Sequence, residues 1–196
     1  MFKKYDFKSL TTTMDIEIID PKESQKERNR YDDKRDLKST IYKYYYYSDF
    51  FECEQLSVRD MEFIKKGFSP ITKDENGKET KLFTVHHIQP LNCGGKTLPS
   101  NLIPLPRKFH SFIHEKIIDP QIQGMQVGDR KTIIGVPDFS KITLDMMMDS
   151  SFRIQYHKFI VDEYRLLPIA VASKSKRDNG QFFGNWYKSH FGSIKE

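Results

Sequence analysis

The sequence predicts an α+β fold in which two short strands and a helix form a core within a mainly helical domain. The first strand is predicted over Lys81–Val85, and a return strand is predicted near Leu102–Leu105, after a Gly-Gly turn. Phe109, Ile113 and Ile117 then recur at four-residue spacing, which places them on one face of a helix. Two strands joined by a loop and followed by an amphipathic helix therefore define the predicted core.

The segments on either side of this core carry mostly helical patterns. Ser57 and Asp60 have the spacing of a capping box, which predicts a helix over 58–66 that ends at Gly67. The other predicted flanking elements are strands over 14–19 and 131–136 and helices over 142–148 and 152–167. Pro120 and Pro168 are expected to end the helices that precede them. The predicted domains are a partly helical N-terminal flank (1–65), the core (66–118) and a C-terminal helical extension (119–196).

The composition is that of a globular protein. The chain has 196 residues, 37% of them hydrophobic and 13% aromatic, which is enough for one sizeable core. No apolar run approaches the roughly 20 residues that a membrane helix needs, so no membrane partner is expected. The two cysteines belong to no CxxC pair, which excludes a four-cysteine zinc site and favours a reducing compartment. The first residues lack the hydrophobic segment of a signal peptide. We therefore expect a cytoplasmic site of action. If the protein is exported into a target cell, we expect the export route not to require such a signal.

Three segments are rich in charged or aromatic residues. The charged segment 22–38 predicts a solvated loop or an exposed helix, with a nucleic-acid-binding arm as the alternative. The tyrosine-rich segment 41–51 favours a packed amphipathic surface over a base-stacking platform. The tail 173–196 is expected to pack on the fold, with contact to a nucleic-acid backbone as the alternative. The net charge of +5 is compatible with a polyanionic partner but does not demonstrate one.

Histidines are concentrated in the core, where four of the six lie within the stretch 85–117. His110 and His114 are four residues apart on the predicted helix, so their rings project from one face about one turn apart. That spacing lets two imidazoles bind one divalent cation, and His86, at the end of the first strand, is the predicted third ligand. Three histidines leave positions open for water and substrate, as a catalytic metal requires. The expected cofactor is one divalent ion: zinc or nickel is favoured by affinity, and magnesium or manganese is the alternative for turnover.

The neighbouring histidine, His87, is predicted to act as a base. Alternation along the strand sends His87 to the side opposite His86, where it does not bind the metal. An imidazole with a pKa near 6.5 is suited to accepting a proton from water at neutral pH. Asn101 is expected to fix the orientation or tautomer of His87 through its amide or its backbone carbonyl. With a cation to stabilise the charged phosphate, these groups indicate phosphodiester hydrolysis.

The complete pattern of His-His, Gly-Gly, Asn and His-x3-His, in this order, resembles that of the HNH nuclease family, whose core is the ββα-metal motif. It is most similar to the bacteriocin-type DNases, the colicin-like and pyocin-like toxins. The resemblance extends over roughly 66–118. It implies that His87 is the general base and that Asn101 steadies this base. By the same resemblance, the metal ligands are His86, His110 and His114.

The chain departs from the bacteriocin-type enzymes at two positions ahead of the histidine pair. Thr84 stands where they usually have an acidic residue, and Thr80 stands where they have an arginine. Cations elsewhere in the core are expected to take over the contacts with phosphate. The predicted substrate-binding residues are Lys81, Arg107 and Lys108.

The resemblance implies an endonuclease that hydrolyses DNA with low sequence specificity, since no base-reading module is evident outside the core. Such an enzyme fits the role of an interbacterial toxin or effector, with a small acidic immunity protein as its partner. One alternative is a sequence-specific restriction, homing or phage HNH nuclease whose flanks bind the target. The other is a non-catalytic, zinc-containing module that binds nucleic acid. RNA stays open as a substrate.

Overall fold

The computed structural model describes residues 5–166, which form helices and three small two-stranded sheets. The structure is 47% helical and 19% strand, so the predicted α+β class is confirmed. The helices are α1 (Pro21–Asp33), α2 (Arg35–Tyr47), α3 (Val58–Lys65), α4 (Arg107–Ile113), α5 (Asp119–Ile122), α6 (Leu144–Met148) and α7 (Ser150–Tyr164). The strands are β1 (Thr11–Glu17), β2 (Ile71–Lys73), β3 (Glu79–Lys81), β4 (Phe83–His87), β5 (Leu102–Pro106) and β6 (Arg130–Pro137). Within the described part of the chain, no helix is long and apolar enough to span a membrane.

Strands β4 and β5 form an antiparallel pair, and α4 follows β5 without a break. Strand β4 begins at Phe83 and not at Lys81, because the hairpin β2–β3 takes up the residues before it. That hairpin turns at Gly77, where φ is 75°, as the Asn-Gly pair predicts. The two adjacent histidines occupy the last two positions of β4. The predicted strands are therefore present, with the histidine pair inside the first of them.

The buried face of α4 and the turn after it is the face that the sequence predicts. Phe109, Ile113 and Ile117 are each 0% exposed. Burial of one such side chain stabilises the fold by roughly 1.5–3 kcal/mol. His110 and His114 each follow one of these residues in sequence. Burial of the apolar face therefore fixes the direction in which both histidines project.

The helix that begins with α4 does not end at Pro120. After Ile113 the chain makes a π-helical turn over His114–Ile118 and continues as α5 to Ile122. Pro120 is the second residue of α5 and directly follows the π-helical turn, and a proline is tolerated in the first turn of a helix. The expectation that Pro120 stops the helix is therefore wrong, because the effect of a proline depends on its place within the turn.

Helix α7 begins at Ser150 and ends at Tyr164, somewhat earlier than the predicted 152–167. It ends because Arg165 adopts a left-handed conformation, with φ of 49°. Pro168, which was expected to end this helix, lies outside the described residues. The prediction for the tail 173–196 also falls outside them.

The two flanks meet in one sheet, in which β1 pairs antiparallel with β6. Gln121 fastens β6 to the helix that carries His114. Its Nε2 donates to the carbonyl oxygens of Ile117 and Ile134 at 2.8 and 2.7 Å, and its Oε1 accepts from the Ile134 N–H at 2.9 Å. A buried amide with both ends hydrogen-bonded is a specific link between elements. The sheet of the flanks therefore braces the helical side of the core, while the predicted domain boundaries stay a prediction.

The charged and tyrosine-rich segments form helices α1 and α2. Helix α1 contains no fully buried residue, as expected of an exposed helix, and the Asp20 side chain caps it by accepting from Lys22 N. Helix α2 buries Tyr42 but leaves Tyr47 69% exposed. The predicted helix α3 is also present, and the capping box that predicts it is formed. The N-terminal flank is thus helical after β1.

Both cysteines are free thiols with raised pKa values. Burial raises the pKa of Cys53 to about 11, and its S–H donates to Asp145 Oδ1 at 2.9 Å. Burial likewise raises the pKa of Cys93 to about 11. Because the thiolate is the nucleophile, only about one molecule in a thousand is reactive at about pH 8.

We therefore expect iodoacetamide to label the native protein at about pH 8 far more slowly than the urea-unfolded chain. The labelling rate should rise as the pH approaches the thiol pKa of about 11. Mass spectrometry of timed samples measures both rates. Prompt labelling of native Cys53 at about pH 8 would contradict the burial and the hydrogen bond to Asp145.

Candidate metal site and the adjoining histidine

Three histidines from three different elements converge in the core. His86 belongs to β4, His110 to α4 and His114 to the π-helical turn. The ring centroids are 4.8 Å apart for His86 and His110, 5.1 Å for His86 and His114, and 4.8 Å for His110 and His114. One ligand nitrogen of each ring lies within 4.8 Å of the other two. The structure thus brings together the three predicted metal ligands, which we call the histidine trio.

His86 is the buried member of the trio, with a relative exposure of 1%. Neither its Nδ1 nor its Nε2 has a hydrogen-bond partner among residues 5–166. A buried polar group without a partner is costly, and such groups in native folds call for an explanation. Burial, and then the neighbouring His110 and His114, lowers the pKa of His86 well below its usual value. The ring is therefore neutral, and a cation shared with the other two imidazoles would give one of its two nitrogens a partner.

The other two members of the trio are partly exposed. Burial lowers the pKa of His110 to about 4, with further contributions from His114 and Arg107. Nδ1 of His114 lies 3.6 Å from Asp119 Oδ1. A carboxylate beside one ring nitrogen orients an imidazole and leaves the opposite nitrogen to act as the ligand. Asp119 therefore lies where its carboxylate can influence the orientation of the His114 ring.

The trio fits one divalent cation. Zinc binds imidazole nitrogen at about 2.0–2.1 Å, so two ligand nitrogens can be at most about 4.2 Å apart. The nitrogens of the trio lie within 4.8 Å of one another, so small side-chain rotations are enough to close the site. Three imidazoles suit zinc or nickel, and three protein ligands leave positions for water and substrate.

His87 lies against helix α1. Its ring contacts the Tyr31 ring edge to face with centroids 5.1 Å apart, and its Nε2 is 3.2 Å from Thr97 Oγ1. This placement agrees with the alternation that separates His87 from His86. Burial, and then the charge of Arg28, lowers the pKa of His87 to about 4. The ring is therefore neutral at physiological pH but a weaker base than the sequence suggests.

The Asn101 side chain bonds to the loop between β4 and β5 and not to His87. Its Oδ1 accepts from Gln89 N at 2.8 Å, and its Nδ2 donates to the carbonyl oxygens of Gln89 and Lys96 at 3.1 and 2.9 Å. The Asn101 carbonyl accepts from Ile88 N at 2.9 Å. The expected direct contact with His87 is therefore replaced by an indirect one. The amide of Asn101 is occupied by its bonds to Gln89 and Lys96, which close the loop. Asn101 therefore acts on His87 only by holding the backbone that follows it in sequence.

The Gly-Gly turn allows this loop to fold back on itself. A Cβ atom on Gly95 would lie 1.9 Å from the carbonyl oxygen of Gln89, which is a backbone atom that cannot rotate away. Gly94 has φ of 84°, a left-handed conformation that favours glycine. The loop that Asn101 closes therefore depends on the absence of side chains at these two positions.

We expect Gly95→Ala to lower the free energy of unfolding by about 3 kcal/mol, because the added carbon forces the backbone of the loop apart. Gly77→Ala is the matched control, since Gly77 has φ of 75° but no atom within 4 Å of an added Cβ. That control should lose only about 1–2 kcal/mol, from the strain of the left-handed backbone. Urea denaturation measures both, and equal losses would contradict the close approach at Gly95.

The predicted substrate-binding residues are all exposed, and one of them is tied to the site by its contacts. Arg107 Nη1 donates to Thr80 Oγ1 at 2.6 Å, and its charge contributes to lowering the pKa of His110. Neither Lys81 nor Lys108 makes a hydrogen bond or ion pair with a site residue within the described part of the chain. Arg28 of α1, which the sequence does not single out, lies close enough to His87 to lower its pKa.

Residues of α1 and of the loop between β4 and β5 surround His87, and the histidine pattern in the sequence does not predict these neighbours. Glu27 Oε2 accepts from Thr97 N at 2.8 Å, and the Glu27 carbonyl accepts from Thr97 Oγ1 at 2.9 Å. The bond from Thr97 N is the main cause that lowers the pKa of Glu27. Glu27 and Tyr31 are four residues apart, so the sequence shows only that they share a face of a helix. It contains no sign that this face meets the loop.

Comparisons of the chain with protein-family models, with curated proteins and with solved structures return no match. Any assignment of function therefore rests on the residues of the site and their geometry.

Proposed function

We propose that this protein is a metal-dependent endonuclease of the HNH type that hydrolyses DNA phosphodiester bonds with low sequence specificity. The observation that carries the proposal is the histidine trio, three imidazoles with ligand nitrogens within 4.8 Å of one another. It is supported by the order of the elements, a strand pair followed by a helix, and by the neighbouring His87 on the other side of β4.

The trio is the site for one divalent cation. When bound, the cation would act as a Lewis acid that stabilises the charge on the phosphate and on the leaving 3′ oxygen. His86 holds its place because it is buried within β4, and His110 and His114 hold theirs because the apolar face of the helix is buried. The chain therefore supplies a donor set whose positions depend little on the substrate.

We assign proton removal from the attacking water to His87. As the water oxygen bonds to phosphorus, the bond to the 3′ oxygen breaks, the water proton passes to the ring, and the leaving oxygen takes a proton from solvent. The low pKa of His87, about 4, keeps the ring in its accepting form. A phosphate anion beside the ring raises this pKa, because negative charge favours the imidazolium. Substrate binding thus strengthens the base where it is used.

We assign phosphate binding chiefly to Arg107. The bacteriocin-type enzymes have an arginine at the position of Thr80, and here the Arg107 guanidinium reaches the Thr80 hydroxyl from α4. A guanidinium can bind a phosphate with two parallel hydrogen bonds. Lys81 and Lys108 would add nonspecific attraction for the backbone. Contacts of this kind do not distinguish bases, which agrees with low sequence specificity.

Plasmid digestion by the full-length chain tests the proposal. Supercoiled plasmid is incubated with the protein and zinc, nickel, magnesium or manganese, with and without a chelator. We expect nicking and linearisation with at least one ion, a smear at long times, and no cleavage with the chelator. Discrete fragments would favour the sequence-specific alternative. Cleavage of RNA but not of DNA would change the substrate class, and metal-replete protein inert toward both would favour the non-catalytic zinc module.

The toxin role is a further part of the proposal, with the target cytoplasm as its place of action and a small acidic immunity protein as its partner. Growth of cells that express the chain tests it. Loss of viability that is relieved by an acidic protein from a neighbouring reading frame would support the role. Unaided tolerance of high expression would contradict it.

A further inference from the structure

We infer that Thr97 positions His87 and selects its tautomer, and that Glu27 of helix α1 holds Thr97 in place. The inference rests on the proposed function, in which His87 is the base. It adds two positioning residues that lie outside the His-His, Gly-Gly, Asn and His-x3-His pattern. It also gives helix α1, an exposed charged helix, a role at the site.

The hydrogen bonds of Thr97 determine which nitrogen of His87 carries the proton. Thr97 Oγ1 lies 2.9 Å from the Glu27 carbonyl oxygen and 3.2 Å from His87 Nε2. The hydroxyl has one proton, and the carbonyl can only accept, so the proton is donated to Glu27. Nε2 of His87 must then be protonated and donate to Thr97, because otherwise two lone pairs would face each other. Nδ1 is left as the unprotonated nitrogen.

Thr97 is itself held firmly. It is 3% exposed, and its N–H donates to Glu27 Oε2 at 2.8 Å while its hydroxyl donates to the carbonyl of the same residue. The other carboxylate oxygen of Glu27 lies 3.9 Å from Lys96 Nζ. Helix α1 also supplies Tyr31, whose ring contacts that of His87. One helix thus controls the hydrogen-bond partner of the base and one of its packing neighbours.

This arrangement has a definite consequence for the reaction. In the tautomer that Thr97 selects, Nδ1 accepts the water proton while Nε2–H stays bonded to Thr97. The ring enters and leaves each cycle in one orientation, and a base held in place keeps its geometric advantage. Loss of the Thr97 hydroxyl would release Nε2–H and allow the ring to turn or to change tautomer.

Kinetics of plasmid cleavage by three variants test the role of the hydroxyl. Thr97→Val keeps the shape but removes the hydroxyl, and it should lower kcat about tenfold to a hundredfold with KM changed less than about twofold. Thr97→Ser should restore kcat to within about threefold, because the hydroxyl is back in place. The matched control is Thr132→Val, which removes an exposed hydroxyl that donates to Asp15 on the sheet of the flanks. Thr97→Val that cuts at the wild-type rate would overturn the inference.

Nitrogen NMR of the histidine rings supplies a readout that does not depend on activity. In the full-length chain labelled with nitrogen-15, without metal and again with zinc, His87 should show a protonated Nε2 and an unprotonated Nδ1. A spectrum of His87→Gln identifies its signals. Thr97→Val should show mixed tautomers, whereas Thr97→Ser and Thr132→Val should match the wild type.

The two measurements separate the inference from the proposed function. If the wild type cuts no nucleic acid, the proposed function fails, and the tautomer of His87 still decides whether Thr97 positions the ring. If the wild type cuts but His87 carries its proton on Nδ1, the inference is overturned and the nuclease stands. Should Thr97→Val fail to fold, the wild-type tautomer and the kcat of Thr97→Ser decide the question.

Discussion

Replacing His87 with alanine is expected to slow plasmid cleavage by about a hundredfold to ten-thousandfold, the usual contribution of a general base. The substitution removes the nitrogen that takes the proton from water in the proposed mechanism. Metal affinity should be unchanged, because His87 projects from β4 toward Tyr31 and Thr97 and does not belong to the histidine trio. Cleavage rates and zinc titrations on the same preparations measure both effects.

The control for this prediction is His157→Ala. His157 is a half-buried histidine of α7 whose ring lies against Phe112 and outside the trio. Its loss should leave the cleavage rate within about threefold of the wild type, as expected for a substitution away from the chemistry. A His87→Ala variant that cuts as fast as the wild type would show that another group is the base. One that loses its metal would show that His87 is a ligand.

Replacing His110 with alanine is expected to abolish both zinc binding and cleavage. In the wild type, zinc at about a hundred times its Kd should raise the free energy of unfolding by about 2.7 kcal/mol. For a chain of this size that corresponds to a rise in Tm of about 5–10 °C. His110→Ala leaves two imidazoles, which hold a cation too weakly for this effect, so its Tm should not respond to zinc. Scanning calorimetry with and without zinc measures the difference.

Two comparisons make this result decisive. Without metal, His110→Ala should unfold within about 1 kcal/mol of the wild type, because His110 is partly exposed and its loss opens no large cavity. His157→Ala should keep the full response to zinc, since His157 is not a member of the trio. A zinc-dependent rise in Tm that persists in His110→Ala would exclude the trio as the metal site.

The elements of the core were predictable because each depends on residues close in sequence. The spacing of Phe109, Ile113 and Ile117 predicts the buried face of a helix, and all three are buried. The predicted helix end at Pro120 was wrong for a reason that the local pattern does not show. A proline is tolerated in the first turn of a helix and not in its interior, and the π-helical turn that puts Pro120 in a first turn depends on packing.

The histidine trio was also predictable, because two of its members share a helical face and the third lies near the end of the neighbouring strand. The surroundings of His87 were not. Its hydrogen-bond partner Thr97 is held by Glu27, which lies 70 residues away in sequence. The pKa of His87, about 4 instead of the usual value, follows from burial that no local pattern predicts. The histidine pattern also does not predict the partners of Asn101, whose amide bonds to the loop and not to His87.

The sequence by itself determined which residue types lie at the site and which face of each element is buried, because periodicity and spacing act over a few residues. Only the tertiary structure decided what covers those faces. It brought helix α1 against the loop of the core, joined β1 to β6, and placed Nε2 of His87 beside the Thr97 hydroxyl. The physical reason is that a sequence pattern shows which face of an element is buried but not which element packs against it. Hydrogen bonds between residues distant in sequence form only when packing brings them within reach.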